Sequence, residues 1–322
     1  MKKLLIFTLL LSFGLLIAGS RYFDTADIPF PRAFEPFLEN HLENYLVPQT
    51  TVGNYWFVDS GNTASNTTGK SWDKAFTSIA TALTYADDDD VIFVAPGDYV
   101  VTTAITVTED NLKIIGCGNI NSNAVLIYNS DNNGEMNLMT INANNVEISG
   151  IGFTTVNDSC SAIRVATTAS AYKVWINNCR FDGYAQGDYA IHTGTTYDSP
   201  DILVENCLFR SFGTASIYAN ATRGVYRNNI FHVDAATIGI EHVPNAGSRP
   251  DQLYYNNVIL GANSTDTGIK ITNTPSAGTY MIVRNIVLNC NTSITGKATN
   301  DAACALNYVG DASGGALINP SP

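Results

Sequence analysis

The chain has 322 residues, 45% of them hydrophobic and only 14% charged. Its 17 Lys and Arg stand against 29 Asp and Glu, a net charge of −12 that argues against nucleic acid and anionic membranes as general partners. The length suits one elongated domain with a short N-terminal piece, and a surface built on Asn, Ser and Thr suits a chain that meets neutral polymers.

Residues 1–20 read as a secretory signal: Met1-Lys2-Lys3, an apolar run from Leu4 to Ile17, then the small residues Ala18, Gly19 and Ser20. The run is short of an average membrane span, which favours cleavage near Ser20 over an uncleaved anchor. Without Lys2 and Lys3 the basic count falls from 17 to 15 and the net charge to −14. The expected location is extracellular or at the cell surface, with no membrane association once the signal is gone. Residues 21–53 form a linker with Pro29, Pro31, Pro36 and Pro48 around one amphipathic helix. Its apolar face would be Phe34, Phe37, Leu38, Leu42, Tyr45 and Leu46, able to cap a solenoid, bind a partner or anchor an oligomer.

Residues 54–118 give a strand around Tyr55-Trp56-Phe57-Val58, a Gly/Asn/Ser/Thr loop ending in Gly69-Lys70-Ser71-Trp72, and a helical stretch from Phe76 to Leu83. The Asp87–Asp90 run reads as a polar turn ahead of Val91-Ile92-Phe93-Val94-Ala95-Pro96-Gly97-Asp98-Tyr99.

A repeat then fills residues 119–322, with its first copy just before them: apolar residues alternate, a Gly or Asn follows, and Phe or Leu comes three residues later. Its markers are Gly116, Gly150, Asn178, Asn206, Asn229, Asn257 and Asn285, spaced 34, 28, 28, 23, 28 and 28. A second ladder is centred on Ile163, Ile191, Ile217, Ile240, Ile269 and Ile294. A fixed period with strand-like alternation predicts stacked coils of an all-β parallel β-helix, at least seven of them, closed by a C-terminal cap. Equivalent residues should form columns about 4.8 Å apart, with Asn at a bend that needs left-handed backbone.

The strand, Trp-bearing loop, capping helix and "v-x-v-x-P-G-x-Y" of residues 54–118 resemble the start of secreted right-handed β-helix proteins of the pectate-lyase-like superfamily. The likeness extends over residues 54–310 and implies a right-handed coil. Val174-Trp175-Ile176-Asn177-Asn178-Cys179 is similar to that family's "v-W-i-D-H-C", but Asn177 stands where the family has a calcium-binding Asp. A neutral amide cannot supply the anionic oxygen, and the family's "R-x-P-x-x-R" and the hydrolase motifs "N-T-D", "D-D" and "G-H-G" are absent.

Six cysteines in an exported chain permit disulfides. Cys290 with Cys304 would close the last coil; Cys179 and Cys207 share a column and could bridge or simply fill the core. The Ile ladder places Arg164, His192, Tyr218, Glu241 and Lys270 in one outward column. There His192, Tyr218 and Glu241 could transfer protons while Arg164 and Lys270 bind acidic sugars, or the column could be a solvated strand face. Loop carboxylates Asp158, Asp182, Asp188, Asp234 and Asp266 could supply a second acid or a calcium site, although such residues are usually turn formers. On the first repeat strand the outward residues should be Lys113, Glu147, Trp175, Leu203, Tyr226, Tyr254 and Ile282, and on the next Arg180, Leu208, Ile259 and Val287. Trp175, Tyr226 and Tyr254 could stack on sugars, or the apolar column could be covered by a loop, a helix or another subunit, as in a trimer of the kind viral tail spikes form.

Two functions follow. The favoured one is a secreted or surface-exposed β-helix that binds polysaccharide or a cell-surface glycan, or serves as an adhesion, envelope or virion component. The alternative is a polysaccharide lyase or glycoside hydrolase using the Arg164–Lys270 face.

Overall fold

The computed structural model describes residues 53–310, except 119–123, 130–135, 157–159, 167–170, 195–200, 221–222, 235–236, 244–250, 263–264, 273–278, 296–301 and 306. The expected signal, the amphipathic helix and Asp158 lie outside the described residues. Among those described, no helix is long and apolar enough to cross a membrane.

Each coil contributes one strand to each of three sheets, of ten, nine and eight strands, and every pairing is parallel. In the coil that carries Trp175 these strands are Trp175–Asn177, Arg180–Asp182 and Tyr189–Thr193. Among the described residues, the eight-stranded sheet marks eight complete turns of a parallel β-helix, and strand Tyr308–Gly310 belongs to a further one. Alternating apolar residues send one set of side chains into the lumen, where equivalent positions stack. Phe153, Phe181, Phe209 and Phe231 do so with ring centroids 5.2, 5.0 and 4.6 Å apart and planes within 7° of parallel.

The N-terminal strand Tyr55–Val58 would present an open sheet edge. The Trp72 loop closes it: Phe57 donates its N–H to the Gly69 carbonyl (2.8 Å), Phe76 to Phe57 (2.9 Å) and Asp59 to Phe76 (2.8 Å). A short helix, Ile79–Leu83, then turns Ile79 and Ala82 into the core, its first turn capped by Ser78 accepting from the Thr81 N–H. Asp90, the last of the acidic run, is buried and accepts from the Trp56 indole (2.7 Å) and the Asp87 N–H (2.9 Å). That run is a turn, as its composition suggests.

The ten-stranded sheet departs from the expected register. Its pairing runs Ile148–Ile176–Val204–Tyr226–Tyr254–Ile282, so these residues share one column, and all are buried in the core. Tyr226, Tyr254 and Ile282 therefore face the lumen, where the two tyrosine rings stack at 5.3 Å. Trp175 is instead in register with Leu203, Val225, Leu253 and Met281. In the nine-stranded sheet Ile259 and Val287 continue the phenylalanine column and are likewise buried. The cause is a coil of 22 residues between Val204 and Tyr226, which shifts every later repeat by one position.

Two asparagine columns result. The left-handed turn holds Asn178, Asn206, Asn228, Asn256 and Arg284, all with φ between 51 and 57°. One residue on, Cys179, Cys207, Asn229, Asn257, Asn285 and Asn307 line the lumen, all buried. Each of these asparagine oxygens accepts the backbone N–H of the residue one coil below, at 2.9–3.1 Å, beginning with Asn229 and Cys207. Each amide nitrogen donates to a backbone carbonyl, as Asn257 does to Tyr226 at 2.9 Å.

Of the two alternatives for Cys179 and Cys207, the bridge is absent and the core-filling one holds: both are buried free thiols, as is Cys290. Parallel side chains one coil apart stand about 4.8 Å from each other, wider than the roughly 3.8 Å between Cβ atoms that a disulfide needs. Each thiol donates instead to backbone carbonyls, Cys179 to Asn177 (3.3 Å) and Cys207 to Glu205 (3.1 Å). The expected Cys290–Cys304 bridge is absent as well. The Cys290 thiol lies against Gly261 of the preceding coil, whereas Cys304 sits on the following one, paired at the backbone with Ile282.

The two asparagine columns differ in what they hold, and substitution separates them. Asn257→Leu strands the Asn229 N–H and the Tyr226 carbonyl in the core and should cost about 2–4 kcal/mol. Asn256→Gly meets the same left-handed turn without strain and should stay within about 1 kcal/mol of the native chain. Urea unfolding of both variants measures the difference, and equal losses would contradict the assignment.

Candidate functional site

The eight-stranded sheet keeps the expected register. Ile163, Ile191, Ile217, Ile240 and Ile269 pair in sequence and are buried. The next position pairs Arg164 with His192, His192 with Tyr218, Tyr218 with Glu241 and Glu241 with Lys270. The five candidate residues therefore form one unbroken outward column.

A sixth residue joins them. Tyr189 lies three positions before His192, an odd separation that strict alternation would put on the opposite face. Ala190 and Ile191 are both in the core, so the alternation breaks there and Tyr189 turns outward. Its ring meets His192 at 4.8 Å and Tyr218 at 5.1 Å, and His192 meets Tyr218 at 4.7 Å. The break leaves no mark in the residue pattern, so period-2 alternation alone does not place Tyr189 on this face.

Electrostatics sort the roles. Burial, helped by the Arg164 charge, lowers His192 from an ordinary 6.5 to about 4, so its imidazole is neutral near pH 7. Neither ring nitrogen is exposed or hydrogen-bonded among the described residues. Burial and then the nearby Asp188 charge push Tyr189 up to about 12, and burial with Glu241 raises Tyr218. Both phenols stay protonated at neutral pH and can donate hydrogen bonds.

Glu241 is engaged: Lys270 Nζ lies 2.8 Å from its Oε1, and Thr272 donates to the same oxygen at 3.1 Å. Lys270, expected to bind an acidic sugar, thus already has a carboxylate. Arg164 has no ion pair among the described residues. The loop carboxylates do turn work: Asp188 accepts from Thr214 Oγ1 (3.1 Å), Asp234 from Ser211 Oγ (2.7 Å), and Asp266 from the Ala262 N–H (2.7 Å). Among the described residues, no group of three or more His, Cys, Asp or Glu side chains is arranged to hold a metal ion.

The aromatic column expected from Trp175, Tyr226 and Tyr254 does not exist, because the last two are in the lumen. Trp175 remains outward and half-buried, its indole N–H donating to Glu205 (3.0 Å), which also receives Arg227 Nε at 2.6 Å.

No family model matches the sequence, and no curated protein sequence matches it. Solved structures do match in shape. One is a pectin methylesterase in complex with a hexasaccharide, with TM-score 0.51 and 13% identity over 83% of this chain and 86% of that one. A pectin methylesterase from Erwinia chrysanthemi matches at TM-score 0.52 and 14% identity, over 82% of this chain and 85% of that one. An alginate lyase of the PL6 family matches at TM-score 0.52 and 13% identity, over 80% of this chain and 40% of that one. The chain is a right-handed parallel β-helix. The likeness to pectate-lyase-like proteins read from residues 54–310 holds at the level of this fold.

The β-helix should answer to acid through its buried histidines. His192 at about 4 and His242 at about 3 both lie below the 6.5 of the unfolded chain, so the unfolded state binds more protons below pH 6.5. Stability is fully present above about pH 6.5 and falls as pH drops toward 4, by about 3 kcal/mol for His192 alone. Urea midpoints at several pH values should fall less steeply for His192→Gln than for the native chain; parallel slopes would refute the link.

Proposed function

We propose that this β-helix binds an anionic polysaccharide along the outward column Arg164–His192–Tyr218–Glu241–Lys270 without turning it over. The observation that carries the reading is a cation without an ion-pair partner among the described residues, Arg164, set beside the Tyr189–His192–Tyr218 ring cluster. A guanidinium offers paired donors to a carboxylate or sulfate, and half-buried phenols offer a flat ring and a hydroxyl to a sugar. The proton-transfer candidates are poorly placed for chemistry. His192 has both nitrogens covered, and Glu241 is held by Lys270. That the fold neighbours include pectin methylesterases and an alginate lyase supports a polysaccharide as the ligand. On this reading the protein is exported and works at a surface, as an adhesion or envelope component.

The enzyme reading rests on one observation, a neutral imidazole next to Arg164, which is the pairing a lyase would use as base and charge neutraliser. Retention of the full chain on immobilised polygalacturonate and alginate, with unsaturated products followed by ultraviolet absorbance, separates the two. Binding without turnover, weakened about tenfold in Arg164→Ala, is expected. Turnover abolished by His192→Ala would replace binding with catalysis, and indifference to Arg164→Ala would remove the site.

A further inference from the structure

We propose that the outward face of the ten-stranded sheet, over its first coils, is a second glycan-binding strip, built for an uncharged polysaccharide. It starts at the N-terminal strand, where Tyr55 and Phe57 lie two residues apart. Phe57 is in register with Phe93 of the next strand. Tyr55 stacks on Phe93 at 5.9 Å, Phe93 on Phe57 at 5.8 Å, and Phe57 meets the Trp72 indole edge-on at 4.8 Å. Four rings thus follow one another in a row, and the two at its ends are open to solvent, Tyr55 by 54% and Trp72 by 43%.

The row is held still. The loop bearing Trp72 is bonded to the strand through Phe57 and Gly69, and closed on itself by the Thr68 and Gly69 N–H groups donating to the Lys74 carbonyl at 3.0 and 2.8 Å. Little ordering is therefore left for a ligand to impose. From this end the register runs from Tyr55 through Val91, Lys113 and Glu147 to Trp175, and from Phe57 through Phe93, Ile115 and Ser149 to Asn177. Four strand-to-strand steps make the strip about 19 Å long. It has flat rings at one end, an indole at the other, and hydrogen-bonding side chains between.

Sugars are recognised by that combination, a ring face against the C–H face of a pyranose and polar groups for its hydroxyls. Charge selects the kind of sugar. The cation within these two columns, Lys113, lies 3.9 Å from Glu147, so it is already matched by a carboxylate. In this the strip differs from the Arg164 column, and a neutral chain is the ligand that asks nothing of a pair already made.

Affinity electrophoresis of the full chain through gels containing hydroxyethylcellulose, xylan or mixed-linkage β-glucan tests the proposal. At least one polymer should retard the native protein. Tyr55→Ala and Trp72→Ala should each weaken that retardation about five- to tenfold, with urea midpoints lowered only by the loss of one ring contact each. Arg164→Ala should leave it intact, so this result is independent of binding at the other face; Tyr184→Ala, an exposed tyrosine outside both columns, should also be silent. Two outcomes would overturn the proposal: no retardation by any of the polymers, with or without self-association through Tyr55 and Trp72, or retardation that survives the Tyr55→Ala/Trp72→Ala double variant.

Discussion

Backbone hydrogen bonding between successive coils, about 4.8 Å apart and in parallel register, is the constraint on which everything else in this protein depends. A side chain has no freedom to choose its neighbour: whatever lies one coil above or below at the same register position is its partner. This is why four phenylalanines stack within 7° of parallel. It is also why Arg164, His192, Tyr218, Glu241 and Lys270, spread over more than a hundred residues of chain, become a single surface. Columns form by construction, and evolution of a surface reduces to choosing one residue per coil.

The same constraint decides what the lumen can tolerate. A buried thiol in the early coils gives way, in register, to a buried amide in the later ones, from Cys207 to Asn229. An isolated amide there would be costly, but a stack of them is self-satisfying. Each oxygen takes the N–H of the coil below and each nitrogen reaches a backbone carbonyl, so only the ends depend on other groups. The tyrosines that enter the lumen in the same coils have no such ladder. The hydroxyls of Tyr226, Tyr254 and Tyr280 lack hydrogen-bond partners among the described residues. They bring stacking area at the expense of an unmet polar group each.

How much of this could be read from the chain depended on whether a coil kept its length. The isoleucine ladder survives the 22-residue coil because each Ile follows a small residue, Ala162, Ala190, Ser216, Gly239 or Gly268, which fixes the count whatever the coil length, so the outward column next to it was legible in full. The ten-stranded sheet was not. Asn228-Asn229 and Asn256-Asn257 are doublets in which either residue fits the turn, and counting from the second moved Tyr226 and Tyr254 from the lumen to the surface. A hydrogen-bonded amide inside and a left-handed amide outside have the same letter. Tyr189 was lost for another reason, a break in alternation at Ala190 that composition does not announce. The Tyr55–Trp72 row needed the loop closure between Phe57 and Gly69, a long-range contact with no period at all.

What separates a binding face from a catalytic one on this cylinder is the state of its ionisable groups more than their identity. Catalysis needs a reachable atom whose protonation can change during the reaction. On the eight-stranded sheet the imidazole has been lowered to about 4 and covered, one phenol has been raised to about 12, and the carboxylate has been given a lysine at 2.8 Å. The two shifts keep the imidazole neutral and the phenol protonated near pH 7, and the ion pair gives the carboxylate a fixed partner. Arg164 is the exception, and a guanidinium cannot exchange protons near neutral pH; it can only hold an anion. Under the proposed function, a face so arranged would offer a sugar polymer a shape and charge that do not change on binding, as holding requires.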